Sequence, residues 1–218
     1  MQLCRSESLK VLPESIPLFQ YVYHANIVLL DMYSLGPWPA ASPADRAYDR
    51  LAVGRAFAWG GICCYNMQGD IEEHRSLPSF LLLKKCAQAR VGFLRDFLVF
   101  GQMLPPLKVE GPLMRVEIKE HYKSDPNDPL LFSGDVPSVL TSAWQSERGD
   151  VALVVLNIGE ATLDTSVSPS PYSEYIRPGC NVELYRDNSL QELTVLDDVH
   201  TVFDIHLEPV EFMAFIFR

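Results

Sequence analysis

The stretch IPLFQYVYHAN, residues 16–26, sets Ile16, Leu18, Phe19, Tyr21, Val22 and Tyr23 within eight positions and then stops on His24. An apolar run of this length with a polar break at its end reads as a strand buried on both faces. Strands of that kind belong to parallel sheets covered by helices, so the reading of this run decides the fold class of the first half.

Working outward, residues 34–45 (SLGPWPAASPAD) form an irregular stretch rich in Pro and small residues. Pro43 and Asp45 then open a helical run, ADRAYDRLAVG, with Gly54 placed as its stop. RAFAWGG (55–61) reads as a second buried strand ending at Trp59, and a polar loop, NMQGDIEEHRSLPS, follows. The clearest helix spans Ser79 to Phe100, where Leu83, Ala87, Val91, Leu94 and Leu98 recur at helical spacing with Cys86, Phe93 and Phe97 beside them. Gly101 fits a helix end, and Pro105 and Pro106 forbid continuation. Strand, helix, strand, long helix is the pattern of βα units.

The second half changes period. LMRVEIKE, SVLTSAWQS, DVALVVLNIG, ATLDTSVS, NVELYRD, LQELTVL, TVFDIHLE and VEFMAFIF are runs of strand length, separated by Gly, Pro, Asn and Asp clusters. Pro209 falls between two of them, where a missing N–H costs no ladder bond. The expected fold is α/β plus all-β: an incomplete (β/α) barrel segment over 1–108, then an antiparallel β-sandwich over 109–218.

Composition narrows the functional classes. With 18 Lys+Arg against 28 Asp+Glu and a net charge of -10, neither nucleic acid nor an anionic membrane is expected as a partner. No apolar stretch reaches the roughly 18 residues that span a bilayer, and MQLCRSESLK lacks the apolar core of a secretory signal. The reading is therefore a soluble protein with no signal peptide, of unassigned location. Cys4, Cys63, Cys64, Cys86 and Cys180 are odd in number and show no CxxC, so reduced thiols are expected rather than disulfides or zinc. Motifs for nucleotide, metal or serine-hydrolase chemistry are absent, and no cofactor or metal is expected. Glu73–His74 lacks metal spacing, His121 sits in a hydrophilic linker, His200 and His206 read as surface residues, and Asp125, Asp128 and Asp135 are too scattered for a calcium loop.

The order of pieces, with PLFQYVYH, GRAFAWGG, the helix running into FLVFGQMLPPL, and SAWQSERGDVALVVLNIG in the β half, resembles the C-terminal part of (β/α)8-barrel glycoside hydrolase-like proteins that carry a β-sandwich. The resemblance implies a carbohydrate substrate and an active-site mouth at the C-terminal ends of the strands. There His24 and Tyr23 would hydrogen-bond sugar hydroxyls and Trp59 would stack on a sugar ring, the substrate-binding set, with both His24 and Trp59 opening onto one cleft. Set beside this, a His after an apolar run is often only a polar strand end, and a Trp in a Gly-flanked turn is often core.

Glycoside hydrolysis needs two carboxyl groups about 5–5.5 Å apart for retention or about 6.5–9.5 Å for inversion. Asp31, Asp70, Glu72 and Glu73 follow the two supposed strands and could reach the mouth, yet each also reads as a solvated loop charge, and the catalytic acids stay unassigned. A barrel takes about 200–250 residues, and about 108 precede the β half, enough for two βα units and a remnant helix at 5–12. Open strand edges would invite self-association. Three functions fit: a glycoside hydrolase fragment without its catalytic carboxylates, a carbohydrate- or protein-binding β-sandwich whose best concave surface lies within 112–218, or an inactive truncated product.

Overall fold

The computed structural model describes residues 3–6, 18–24, 28–33, 43–65, 71–119, 127 and 129–218. The chain begins β1 (Leu3–Ser6), α1 (Leu18–Tyr23), β2 (Val28–Tyr33), α2 (Pro43–Ala58) and β3 (Ile62–Tyr65). The three strands form one parallel sheet in the order β1-β2-β3. Helical connections between parallel strands are thus present, but the strands lie elsewhere than the sequence reading put them.

Four corrections follow. Leu18–Tyr23, expected as a strand, is helix α1, and Leu18, Tyr21, Val22 and Tyr23 are exposed on it. The strand comes just after, at Val28–Tyr33. A short apolar run has no periodicity that separates strand from helix, so density of apolar residues misled. Likewise RAFAWGG is the end of α2 and its cap. Gly61 N–H bonds to Ala56 O and Gly60 N–H to Phe57 O, with Gly60 at φ 72°, a Schellman ending. Gly54 is no stop. It lies inside α2, where an added Cβ would come within 2.8 Å of both Ile158 Cγ2 and Leu140 Cδ1, so its missing side chain lets the helix approach the sheet. The remnant helix at 5–12 begins instead inside β1, and its remaining residues lie outside the described ones.

Next come α3 (Ile71–His74), α4 (Pro78–Val91) and α5 (Arg95–Leu98). The single helix expected over 79–100 breaks at Gly92, whose φ of -100° and ψ of -123° leave the helical region. The break resets the face. Ser79, Leu82, Cys86 and Ala89 are the buried residues of α4, one step round from the expected stripe, and Val91 is 72% exposed. Leu94, Phe97 and Leu98 bury beyond the break.

The strands that follow are β4 (Gln102–Leu104), β5 (Leu113–Lys119), β6 (Leu130–Pro137), β7 (Val139–Gln145), β8 (Val151–Asn157), β9 (Leu163–Val167), β10 (Asn181–Arg186), β11 (Ser189–Val195), β12 (Phe203–Leu207) and β13 (Glu211–Phe217). All eight strands read in the second half of the sequence are here; β4 and β6 are additional. The largest sheet runs β11-β10-β13-β8-β7-β4, antiparallel throughout, and β5–β6 and β9–β12 are separate antiparallel pairs.

Every residue of β8 is buried, because the sheet is covered on both faces. Ala152, Val154 and Leu156, with Phe212, Ala214 and Ile216 of β13, join a core made with α2, α4 and α5. Their alternates Val151, Leu153 and Val155, with Met213, Phe215 and Phe217, join a second core with Leu163, Val167, Ile205 and Leu207 of β9 and β12. The period-2 alternation of a strand makes this division. Helix α2 packs against α4, β5, β7 and the parallel strands β2 and β3. Residues 47–58 are buried throughout.

Candidate functional site

A cleft of about 470 Å³ opens where the start of α2, strand β5, Ser138 and the turn after β8 meet. Pro43, Leu113 and Met114 give it apolar wall, and Arg50, Arg115, Glu117 and Glu160 give it charge. Arg50 is held in the floor. Its Nε donates to Ile158 O at 2.7 Å and its Nη2 to Glu160 Oε1 at 3.1 Å. The Arg50 side chain is 4% exposed and that of Glu160 73%. Burial pulls the guanidinium below its ordinary pKa, and the Glu160 carboxylate opposes the shift. On the opposite wall Arg115 donates to Ser133 Oγ at 2.7 Å and lies 3.9 Å from Asp135.

The turn carrying Glu160 is fixed from below. The buried Asn157 side chain donates to Ala161 O, Leu207 O and Glu208 O, and its Oδ1 accepts from Gly159 N–H. Ser138, also at the cleft, donates through Oγ and N–H to Pro112 O, while its own carbonyl accepts from Ile158 N–H. Main-chain bonds thus tie β5, β7 and the turn after β8 into one rim.

The residues expected to bind substrate sit elsewhere, and none of His24, Tyr23 or Trp59 lines this cleft. His24 follows α1 and is buried. Its Nδ1 faces Gly101 O at 3.2 Å, its Nε2 faces Leu98 O at 3.1 Å and Gly60 O at 3.3 Å, and its ring lies 4.6 Å from that of Trp144. Burial lowers its pKa against the pull of the three carbonyls. Gly60 is needed here twice, since a Cβ would fall 2.2 Å from His24 Nε2. Trp59 is partly buried against the helix-side core, under the Arg55 guanidinium at 5.5 Å. Tyr23 is exposed at the end of α1.

Of the acids considered, Glu72 and Glu73 are exposed on α3, Glu72 paired to Arg75 at 3.2 Å. The Asp31 side chain and all of Asp70 lie outside the described residues, as do His121 and Asp125. No cluster of metal-ligating side chains occurs among the described residues, and no helix among them is long and apolar enough to cross a membrane. Sequence reasoning passed over Arg50, Arg115, Glu117 and Glu160. Arg50 carried no distinct signal, since ADRAYDRLAVG also holds Asp45, Arg46 and Asp49, and the others come together only through the fold.

No family model and no curated protein matches this chain. Among solved structures, it is similar to α-galactosidase I from Mortierella vinacea at 9% identity and a TM-score of 0.41, over 86% of this chain and 38% of that one. It is similar to a GH30 endoxylanase from Clostridium papyrosolvens at 11% identity and a TM-score of 0.39, over 99% and 48%. A GH27 β-L-arabinopyranosidase from Geobacillus stearothermophilus aligns at 9% identity and a TM-score of 0.36, over 79% and 30%. The chain therefore spans less than half the length of each of these glycoside hydrolases.

Proposed function

We propose that this chain is a fragment from the C-terminal part of a carbohydrate-active barrel protein, with βα units in 1–108 and a β-sandwich in 109–218, and that it binds sugar without cleaving the glycosidic bond. The cleft beside Arg50 carries the reading. Each sugar hydroxyl donates and accepts at once, and here guanidinium groups that only donate stand with carboxylates that only accept. Two cations (Arg50, Arg115) and two anions (Glu117, Glu160) balance, which suits a neutral ligand, and Pro43, Leu113 and Met114 offer apolar surface to its C–H faces.

In the same proposal Tyr23 and the partly exposed Trp59 face substrate in the parent protein, and His24 positions the turn that carries Trp59. The outer edges of β1 and β3, unpaired among the described residues, are where further barrel strands or a second copy would join.

The test is calorimetric titration of the chain with neutral oligosaccharides, alongside aryl-glycoside hydrolysis assays. Binding weakened at least tenfold by Arg115→Ala or Glu117→Gln, with no turnover, is the expected result. Turnover that disappears in Glu117→Gln would make the cleft catalytic, and failure of every sugar to bind would sink the proposal.

A further inference from the structure

A second, smaller groove of about 190 Å³ lies between α2 and α4, with Gly61 and Ile62 also in its lining. Val53, Phe57, Leu83, Ala87 and Val91 line it, and Arg90 is its one charged residue. Arg90 is anomalous. Its Nη2 donates to Gly60 O at 3.1 Å, the carbonyl that His24 Nε2 also faces, yet its Nε is buried with no hydrogen-bond partner. Among the described residues no carboxylate stands within ion-pair distance of it.

A half-buried guanidinium normally has a counter-charge, because desolvation of an unpaired cation is costly. Here the described neighbours supply hydrocarbon and one shared carbonyl oxygen. Among the described residues the groove therefore has no anion at the Arg90 end, and it offers apolar contact along the rest.

We infer that the α2–α4 groove binds a small monocarboxylate with an apolar tail, the carboxylate pairing with Arg90 and the tail lying along Val53, Phe57, Leu83 and Val91. The planar fork of a guanidinium matches the two oxygens of a carboxylate, which is the strongest common pairing of charged side chains. The volume holds about six water-sized groups at roughly 30 Å³ each, which sets the length of the tail. A phosphate or sulfate would leave the hydrocarbon wall uncovered, and an alcohol of the same length would leave the cation unpaired. This inference is independent of sugar binding, since Arg50 and Arg90 serve different clefts.

The probe is hexanoate, with hexanol as the uncharged control, followed by amide and methyl NMR signals of Leu83, Ala87 and Val91. Hexanoate should give saturable shifts there, at least tenfold tighter than hexanol. Arg90→Met should weaken hexanoate at least tenfold and bring it level with hexanol. Ala87→Phe, which adds its ring on the exposed side of α4 and leaves Arg90 in place, should block both ligands. If Arg90→Met does not fold, the acid-to-alcohol ratio and Ala87→Phe decide. Equal binding of acid and alcohol, unchanged binding in Ala87→Phe, or no saturable shift at these residues would each overturn the inference.

Discussion

Helices α2 and α4 lie side by side and share a core, but they are buried in different ways. From Ala47 to Ala58 every residue of α2 is buried, three of them charged: Asp49, Arg50 and Arg55. In α4 only Ser79, Leu82, Cys86 and Ala89 are buried. The cause is position. The parallel strands, α4, β5 and β7 surround α2, whereas α4 keeps one side to solvent. A helix enclosed on all sides must pair its polar groups, as Arg50 does with Ile158 O and Glu160. In this fold α2 is the element through which the two halves of the chain share one core.

Substitutions separate the two helices most sharply at their apolar positions. Leu51→Ala in α2 should cost about 2–5 kcal/mol, while Val91→Ala in α4 should stay within about 0.5 kcal/mol; urea unfolding of the two variants measures the gap. Gly54→Val should follow, at about 1–3 kcal/mol, because its side chain would meet Ile158 and Leu140. Equal costs at Leu51 and Val91 would break the comparison.

Polar positions on α2 sharpen it further. Arg50→Met should cost about 1–3 kcal/mol, since it leaves the buried Ile158 carbonyl without its donor, whereas Glu160→Gln should cost under about 1 kcal/mol, because the Glu160 end of the pair is 73% exposed and a glutamine oxygen still accepts from Arg50. Urea midpoints at low and high salt distinguish them: the Glu160 effect should shrink with salt and the Arg50 effect should persist.

Two histidines give opposite pH dependence. His24 has its folded-state pKa lowered from 6.5, so the unfolded chain binds the extra proton first. Its contribution is present above 6.5 and is lost as pH falls through the folded value. His206, exposed on β12, pairs with Asp164 at 2.7 Å and Glu208 at 3.4 Å, which raises its pKa. Its contribution is present below the unfolded pKa and is lost as pH rises through the folded one. In His24→Gln the loss of urea midpoint between pH 7.5 and pH 5 should diminish. In Asp164→Asn the NMR titration midpoint of His206 should fall, the smallest of these effects.

The same contrast explains what could be read in advance. The eight β strands were legible because turn residues bound each one and most alternate. Helix α4 was legible because one side faces solvent and carries Lys84 and Gln88 against an apolar stripe. Helix α2 was cut at Gly54, and its remainder taken for a strand, because a helix buried all round shows no polar stripe to count. Strand β6 was missed because Gly134, Asp135 and Pro137 punctuate it like a loop. The candidate cleft was illegible for a different reason: Arg50, Glu117 and Glu160 are far apart in sequence, and only the packing of α2 against β5 and β7 brings them together. His24 was legible as unusual, but its acceptors, the carbonyls of Gly60, Leu98 and Gly101, carry no side-chain signature.

Native-state hydrogen exchange of the α2 and β8 amides, followed across a denaturant series, tests the shared core most directly. If α2 joins the two halves, the amides of residues 51–58 should exchange only through the global opening that also releases β8, with matching free energies and denaturant slopes. If 51–58 open well below β8 and with a shallow slope, α2 belongs to a separately unfolding unit and the account of a common core is wrong.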